Sequence, residues 1–205
     1  ESQVEPFLEM IEKVWMDTYT AEVGQQTLRS YIPKQLLLVG SASYNDDGST
    51  TEGTAEGGRQ IVLYSVNDFN FELEQIQSYA HVMHHEFAHI LHQNVEYDAE
   101  FEKITPSYSS SWMQMNDETA RSKGFITAYA FSSADEDFAE MVSIMLTNSP
   151  EDWDNMIENA GNAAAVEALR KKEAIVVAYM KNNWGVNMKD FQKEVVAAIE
   201  AAVRN

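Results

Sequence analysis

All five histidines of this 205-residue chain fall between positions 81 and 92, inside a segment from about 71 to 94 that reads as one helix. Within it, His85-Glu86-Phe87-Ala88-His89 sets two imidazoles four residues apart. On a helix that spacing stacks them on one face, one turn apart, where both can reach one metal ion. Glu86 is turned about 100° away, so it flanks such an ion and can take a proton from a water bound to it. Phe87, Ile90 and Leu91 give the helix an apolar back. This is the logic of the HExxH motif, in which zinc lowers the pKa of bound water to about 7. The alternative is a surface helix that happens to carry histidines.

Two ligands are too few, because catalytic zinc takes three protein groups and keeps one position open. The chain has no cysteine and no histidine after His92. The third ligand is therefore His92, a carboxylate or something unusual. The metzincin extension, with a glycine and a third histidine beyond the motif, is absent: position 92 is His and position 95 is Val. An acidic segment, Asp135-Glu136-Asp137-Phe138-Ala139-Glu140, supplies candidates. Glu136 and Glu140 are four apart and share a helix face, so one can ligate while the other orients a ligating histidine through its free N–H. Spacing alone does not assign the two roles. His81 reads as cleft lining or packing, His84 as structural, and His92 as a runner-up ligand, a further turn being too far along the helix to share one ion easily.

Fourteen basic against 33 acidic residues give a net charge of −19. Such a surface repels phosphate backbones and anionic membranes, which excludes nucleic acid as a partner and leaves neutral or basic substrates. The absence of cysteine rules out a disulfide framework, a thiolate zinc site and a cysteine nucleophile; it suits a cytosolic protein or an exported bacterial one. No window is long and apolar enough to span a bilayer. The chain opens at Glu1 without an initiator Met or signal peptide, so any targeting segment is expected upstream.

The length and 44% hydrophobic content suit one globular domain, 1–205, with a sheet-plus-helix lobe over about 1–94 and a helical lobe over about 95–205. Residues 5–23 read as a helix, 35–40 as a buried strand after Pro33, 41–58 as a long polar loop or hairpin tip, and 61–66 as a second strand of the same small sheet. Residues 95–115 are mixed, with Thr105-Pro106-Ser107 and Ser109-Ser110-Ser111 marking loops, and Asn116 or Asp117 caps a short helix. Helices follow over 134–146, from Ser149-Pro150, and over about 163–183 and 188–203, with Gly185 as a stop between the last two.

His85-Glu86-Phe87-Ala88-His89, Tyr129 and Glu136-Asp137-Phe138-Ala139-Glu140 together resemble the catalytic domain of anthrax lethal factor and related gluzincins. That resemblance implies Glu136 as the third zinc ligand, Tyr129 as a helper at the substrate oxyanion, and Glu140 close to the zinc site. The block from His84 to Gln93 resembles the substrate import-associated zinc metallohydrolase lipoproteins of Bacteroidetes. It implies an exported protein at the cell envelope or outer membrane, beside a nutrient-import system, touching the membrane only through a lipid anchor outside this sequence. In such zincin folds an edge strand beside the cleft pairs with extended substrate, and 61–66 is the candidate, though an ordinary sheet strand fits equally.

The expectation is thus an α+β, zincin-like metallopeptidase: helix-rich, with a small mixed sheet beside the HExxH helix and a helical C-terminal part. Zn2+ would be held by His85, His89 and Glu136, with Glu86 and Tyr129 catalytic, Glu140 behind the ligands, and a peptide or protein as substrate. The competing readings are a cell-envelope binding or accessory protein with a zinc site, and a hydrolase of a non-peptide amide.

Overall fold

An apolar stripe of Phe7, Met10, Ile11, Val14 and Trp15 buries one face of the N-terminal segment and makes it helical. In the computed structural model, which describes residues 2–45, 50–51, 53–56 and 60–203, this segment runs as α1 (Val4–Ile11), a π-helical stretch Glu12–Asp17, and α2 (Thr18–Val23). Gly24 ends it with φ 79°, a backbone that glycine adopts without strain. A short α3 (Gln25–Tyr31), with no counterpart in the sequence reading, precedes the strands.

The strands are β1 (Gln35–Leu38), β2 (Ser43–Tyr44), β3 (Thr50–Thr51), β4 (Gly53–Glu56) and β5 (Gln60–Leu63). β5 lies in the middle of a mixed three-stranded sheet, parallel to β1 with Leu36 opposite Ile61, and antiparallel to β4 with Gly53 opposite Leu63. β2 and β3 form a separate antiparallel pair. Two expectations are corrected here. The strand beginning at 60 is central, so its backbone groups are already spent on neighbours, and β4 takes the edge. Of the two readings of 41–58, a long loop or a hairpin tip, the plain loop is corrected: the stretch holds three short strands, two of them an antiparallel pair, because polar Ser and Thr residues hide strand character when burial is slight. Its residues 46–49, 52, 57 and 58 lie outside the described residues.

The centre of the molecule is α4 (Leu73–Asn94), whose inner face buries Ile76, Ala80, Met83, Phe87 and Leu91. Phe87 meets Tyr19 edge-on at 4.7 Å, and Tyr19 meets Phe191 at the same distance, tying α4 to α2 and to the last helix. After α5 (Glu100–Ile104) and α6 (Asp117–Arg121), the chain enters α7 (Ala134–Thr147), α8 (Pro150–Glu158), α9 (Ala163–Trp184) and α10 (Met188–Ala202). The expected caps form: Asn116 accepts from the Thr119 N–H at 2.9 Å, Ser149 from the Asp152 N–H at 3.1 Å, and Gly185 closes α9 at φ 73°.

α7 packs along α4 and is covered by α9 and α10. Its first turn is pinned from behind by Lys172 of α9, which is fully buried and ion-paired to buried Asp137. Lys172 also donates to the Gly124 carbonyl at 2.8 Å and lies 4.1 Å from the Phe125 ring centre; Tyr108 donates to Asp137 at 3.0 Å. Removing one member of such a pair strands a buried charge, which costs about 3–5 kcal/mol, so the pair holds the start of α7 firmly. Among the described residues no helix is long and apolar enough to cross a membrane.

Candidate metal centre

Ser133 starts α7 by accepting the Glu136 N–H at 3.2 Å, and Asp135, Glu136 and Asp137 fill the first turn, where acids favour the helix dipole. Ser133 and Glu136 have the spacing of a capping box, in which the acid would fold back onto the helix start. Glu136 instead extends to α4. Its Oε2 lies 3.0 Å from His85 Nε2 and 3.1 Å from His89 Nε2, and the two nitrogens are 3.0 Å apart. Two N–H groups cannot point at each other across that gap. With both nitrogens unprotonated, three lone pairs converge on one point, which calls for a cation. Tetrahedral zinc with bonds of 2.0–2.1 Å sets its ligand atoms about 3.3 Å apart, so the donor set fits zinc in kind and in spacing.

The far nitrogens are equally specific. His85 Nδ1 is 2.7 Å from Glu140 Oε1, and His89 Nδ1 is 2.9 Å from His92 Nε2. Each of these two imidazoles thus uses Nδ1 in a hydrogen bond and leaves Nε2 toward the shared point. Glu140, only 2% exposed, also receives His81 Nε2 at 2.8 Å and the Thr127 hydroxyl at 2.6 Å. His81, His85 and Glu140 could themselves group around an ion. Hydrogen bonds to the Glu140 carboxylate account for the contacts in that group, however, and it lacks the close pair of Nε2 atoms of the first.

Electrostatics agree with this division. Burial disfavours charge on Glu140, yet His81 and His85 hold its carboxyl well below the usual range. Burial likewise opposes the His85 cation, but the hydrogen bonds it donates to Glu136 and Glu140 outweigh it and raise the imidazole to about 10; Glu136, by the same pairing with His85 and His89, falls to about 2. Without metal the centre is an ion pair, and a divalent cation entering it must expel the His85 proton. His84 is set apart: fully buried, it is lowered to about 3 and directs Nε2 at the Val14 carbonyl of the π-helical stretch, 3.3 Å away.

An open cleft of about 950 Å³ exposes the centre, lined by Glu86, Tyr129, Trp112 and, across from them, Thr50, Gly53 and Thr54. A Cβ on Gly53 would collide with Val82 of α4, so glycine allows the edge strand to lie tight against the histidine helix. Tyr129 is 38% exposed, its ring centre 5.8 Å from that of His85 and 5.0 Å from that of Trp112. Partial burial and the Glu136 carboxylate push its phenol up, so it stays protonated as a hydrogen-bond donor.

All six site residues read from the sequence, His85, Glu86, His89, Tyr129, Glu136 and Glu140, therefore meet at one cleft. His81 lines the cleft, one of the two readings given to it, and also binds Glu140. His92 is not a ligand position: its Nε2 faces the far side of the His89 ring. Thr127 escaped notice because nothing in a lone threonine signals a hydrogen bond to a carboxylate on another element.

A helix-rich α+β, zincin-like fold with two imidazoles and a carboxylate converging under an open cleft defines a zinc-binding protein of the metallopeptidase class. The family model described as "Putative zinc-binding metallo-peptidase" matches residues 1–189, and the chain belongs to that family. It is similar to a crystal structure from Bacteroides caccae described in the same words, with a TM-score of 0.83 and 33% identity over 96% of this chain and 76% of that one. No curated protein matches it significantly.

Proposed function

We propose that the chain hydrolyses peptide bonds with zinc held by His85, His89 and Glu136. The observation that carries this reading is the convergence of their three ligand atoms, each about 3 Å from the other two, beside Glu86 in an open cleft. Zinc bound there would polarise the substrate carbonyl and make water acidic enough to attack at neutral pH. Glu86 takes the proton from the attacking water and delivers it to the leaving amine, one group acting as base and then acid. Tyr129 donates its phenol proton in a hydrogen bond to the oxygen on which negative charge develops. The edge of β4 offers backbone groups along the cleft wall to an extended chain, which favours a peptide over an isolated amide.

The test is elemental analysis of wild type and His85→Ala purified without chelator, followed by digestion of a denatured protein mixture read by mass spectrometry. About one zinc per chain, lost in the variant, with cleavage by wild type alone, is expected. A wild type that takes up no zinc when supplied with it overturns the reading.

A further inference from the structure

The far nitrogen of His89 meets a group that lies outside the His85–His89 motif. An imidazole can offer Nε2 to a metal only while Nδ1 carries the proton, and that tautomer persists where Nδ1–H has an acceptor. For His85 the acceptor is the Glu140 carboxylate. For His89 the partner of Nδ1 is His92 Nε2 at 2.9 Å, one turn further along the same helix.

The surroundings fix His92 in that role. It is buried, 8% exposed, with Tyr97 edge-on at 5.5 Å and Phe138 edge-on at 6.0 Å between ring centres. Tyr97 is itself stacked on Phe138 at 4.4 Å, and its hydroxyl donates to Asp135 at 2.7 Å. Phe138 and Asp135 belong to α7, two residues after and one before Glu136. The packing that delivers the carboxylate ligand therefore also clamps the ring that orients the second histidine ligand. An acceptor nitrogen held this way cannot double as a metal ligand, because the His89 ring stands between it and the convergence point.

We propose that His92 is a positioning residue for the zinc centre: by accepting the Nδ1–H of His89 it holds His89 in the tautomer and orientation that ligate. This rests on the metal-centre reading above. Three proteins separate the possibilities: wild type, His92→Phe, which keeps a buried ring without an acceptor, and His92→Gln, whose amide oxygen can replace Nε2. Zinc affinity is measured by chelator competition, and Co2+ substitution reads the ligand geometry from its visible absorption bands. With folding checked by circular dichroism, H92F should bind zinc about 10–100-fold more weakly, the usual cost of losing such a partner. Its cobalt bands should shift, and H92Q should restore most of both. Wild-type affinity and bands in H92F overturn the proposal, and so does an H92Q protein as weak as H92F, since restoring an acceptor would then not restore ligation. A wild type without zinc removes the metal centre itself, and this inference with it; that outcome differs from the others in needing no variant.

Discussion

Replacing Glu140 tests whether the carboxylate behind His85 supports the metal without touching it. Glu140 is 2% exposed and takes three hydrogen bonds, from His81 at 2.8 Å, His85 at 2.7 Å and Thr127 at 2.6 Å. Glu140→Gln keeps the shape. The amide oxygen still accepts from His85, and the amide nitrogen donates to a Thr127 hydroxyl that turns to accept. What disappears is the charge, and with it roughly half the strength of the His85 bond. Zinc affinity should fall about 10–100-fold with little change in melting temperature. Glu140→Ala removes shape as well, leaving buried donors without an acceptor and a void between α4 and α7. That costs on the order of 3–5 kcal/mol, or a melting temperature lower by about 10 °C in a chain of this size. Chelator competition and thermal unfolding of both variants read the two effects separately. If E140Q binds zinc as tightly as wild type and turns over equally, the carboxylate does not orient His85 and the assignment of Glu140 fails.

Glu86→Gln should keep zinc near one per chain while peptide cleavage drops about 10²–10⁴-fold, the range for loss of a general base; zinc loss equal to that of Glu136→Gln would overturn the division of roles. Tyr129→Phe should lower kcat about 10²–10³-fold at unchanged metal content, as for a lost oxyanion donor, and unchanged turnover removes the phenol from the mechanism. For pH, His84 has a folded value near 3 against about 6.5 unfolded, so the unfolded chain binds the extra proton between those values. Its contribution to stability is full above about pH 6.5 and is lost as pH falls toward 3. With metal chelated, the loss of urea stability between pH 7 and 5 should be smaller in His84→Phe than in wild type; equal losses would show that His84 does not drive it.

The long helices were legible because their signals are local. An apolar stripe at helical spacing, a serine or asparagine cap and a glycine stop act within a few residues, so α4, α7, α9 and α10 lie within two or three residues of where the pattern puts them. The pairing of His85 with His89 was legible for the same reason, since one turn of one helix fixes it. The short strands were not: β2 and β3 have two residues each, and whether β5 is an edge or a centre depends on what arrives beside it from β1 and β4. Spacing alone could not say which of Glu136 and Glu140 faces His85 and His89 and which lies behind them. Both acids share one face of α7, and only the packing of that helix against α4, pinned by the buried Lys172–Asp137 pair, sets one at Nε2 and the other at Nδ1 of the same imidazole. His92 and Thr127 depend on tertiary structure in the same way. A hydrogen bond to a ligating group is a matter of ångströms between elements, whereas sequence periodicity specifies only direction along a single one.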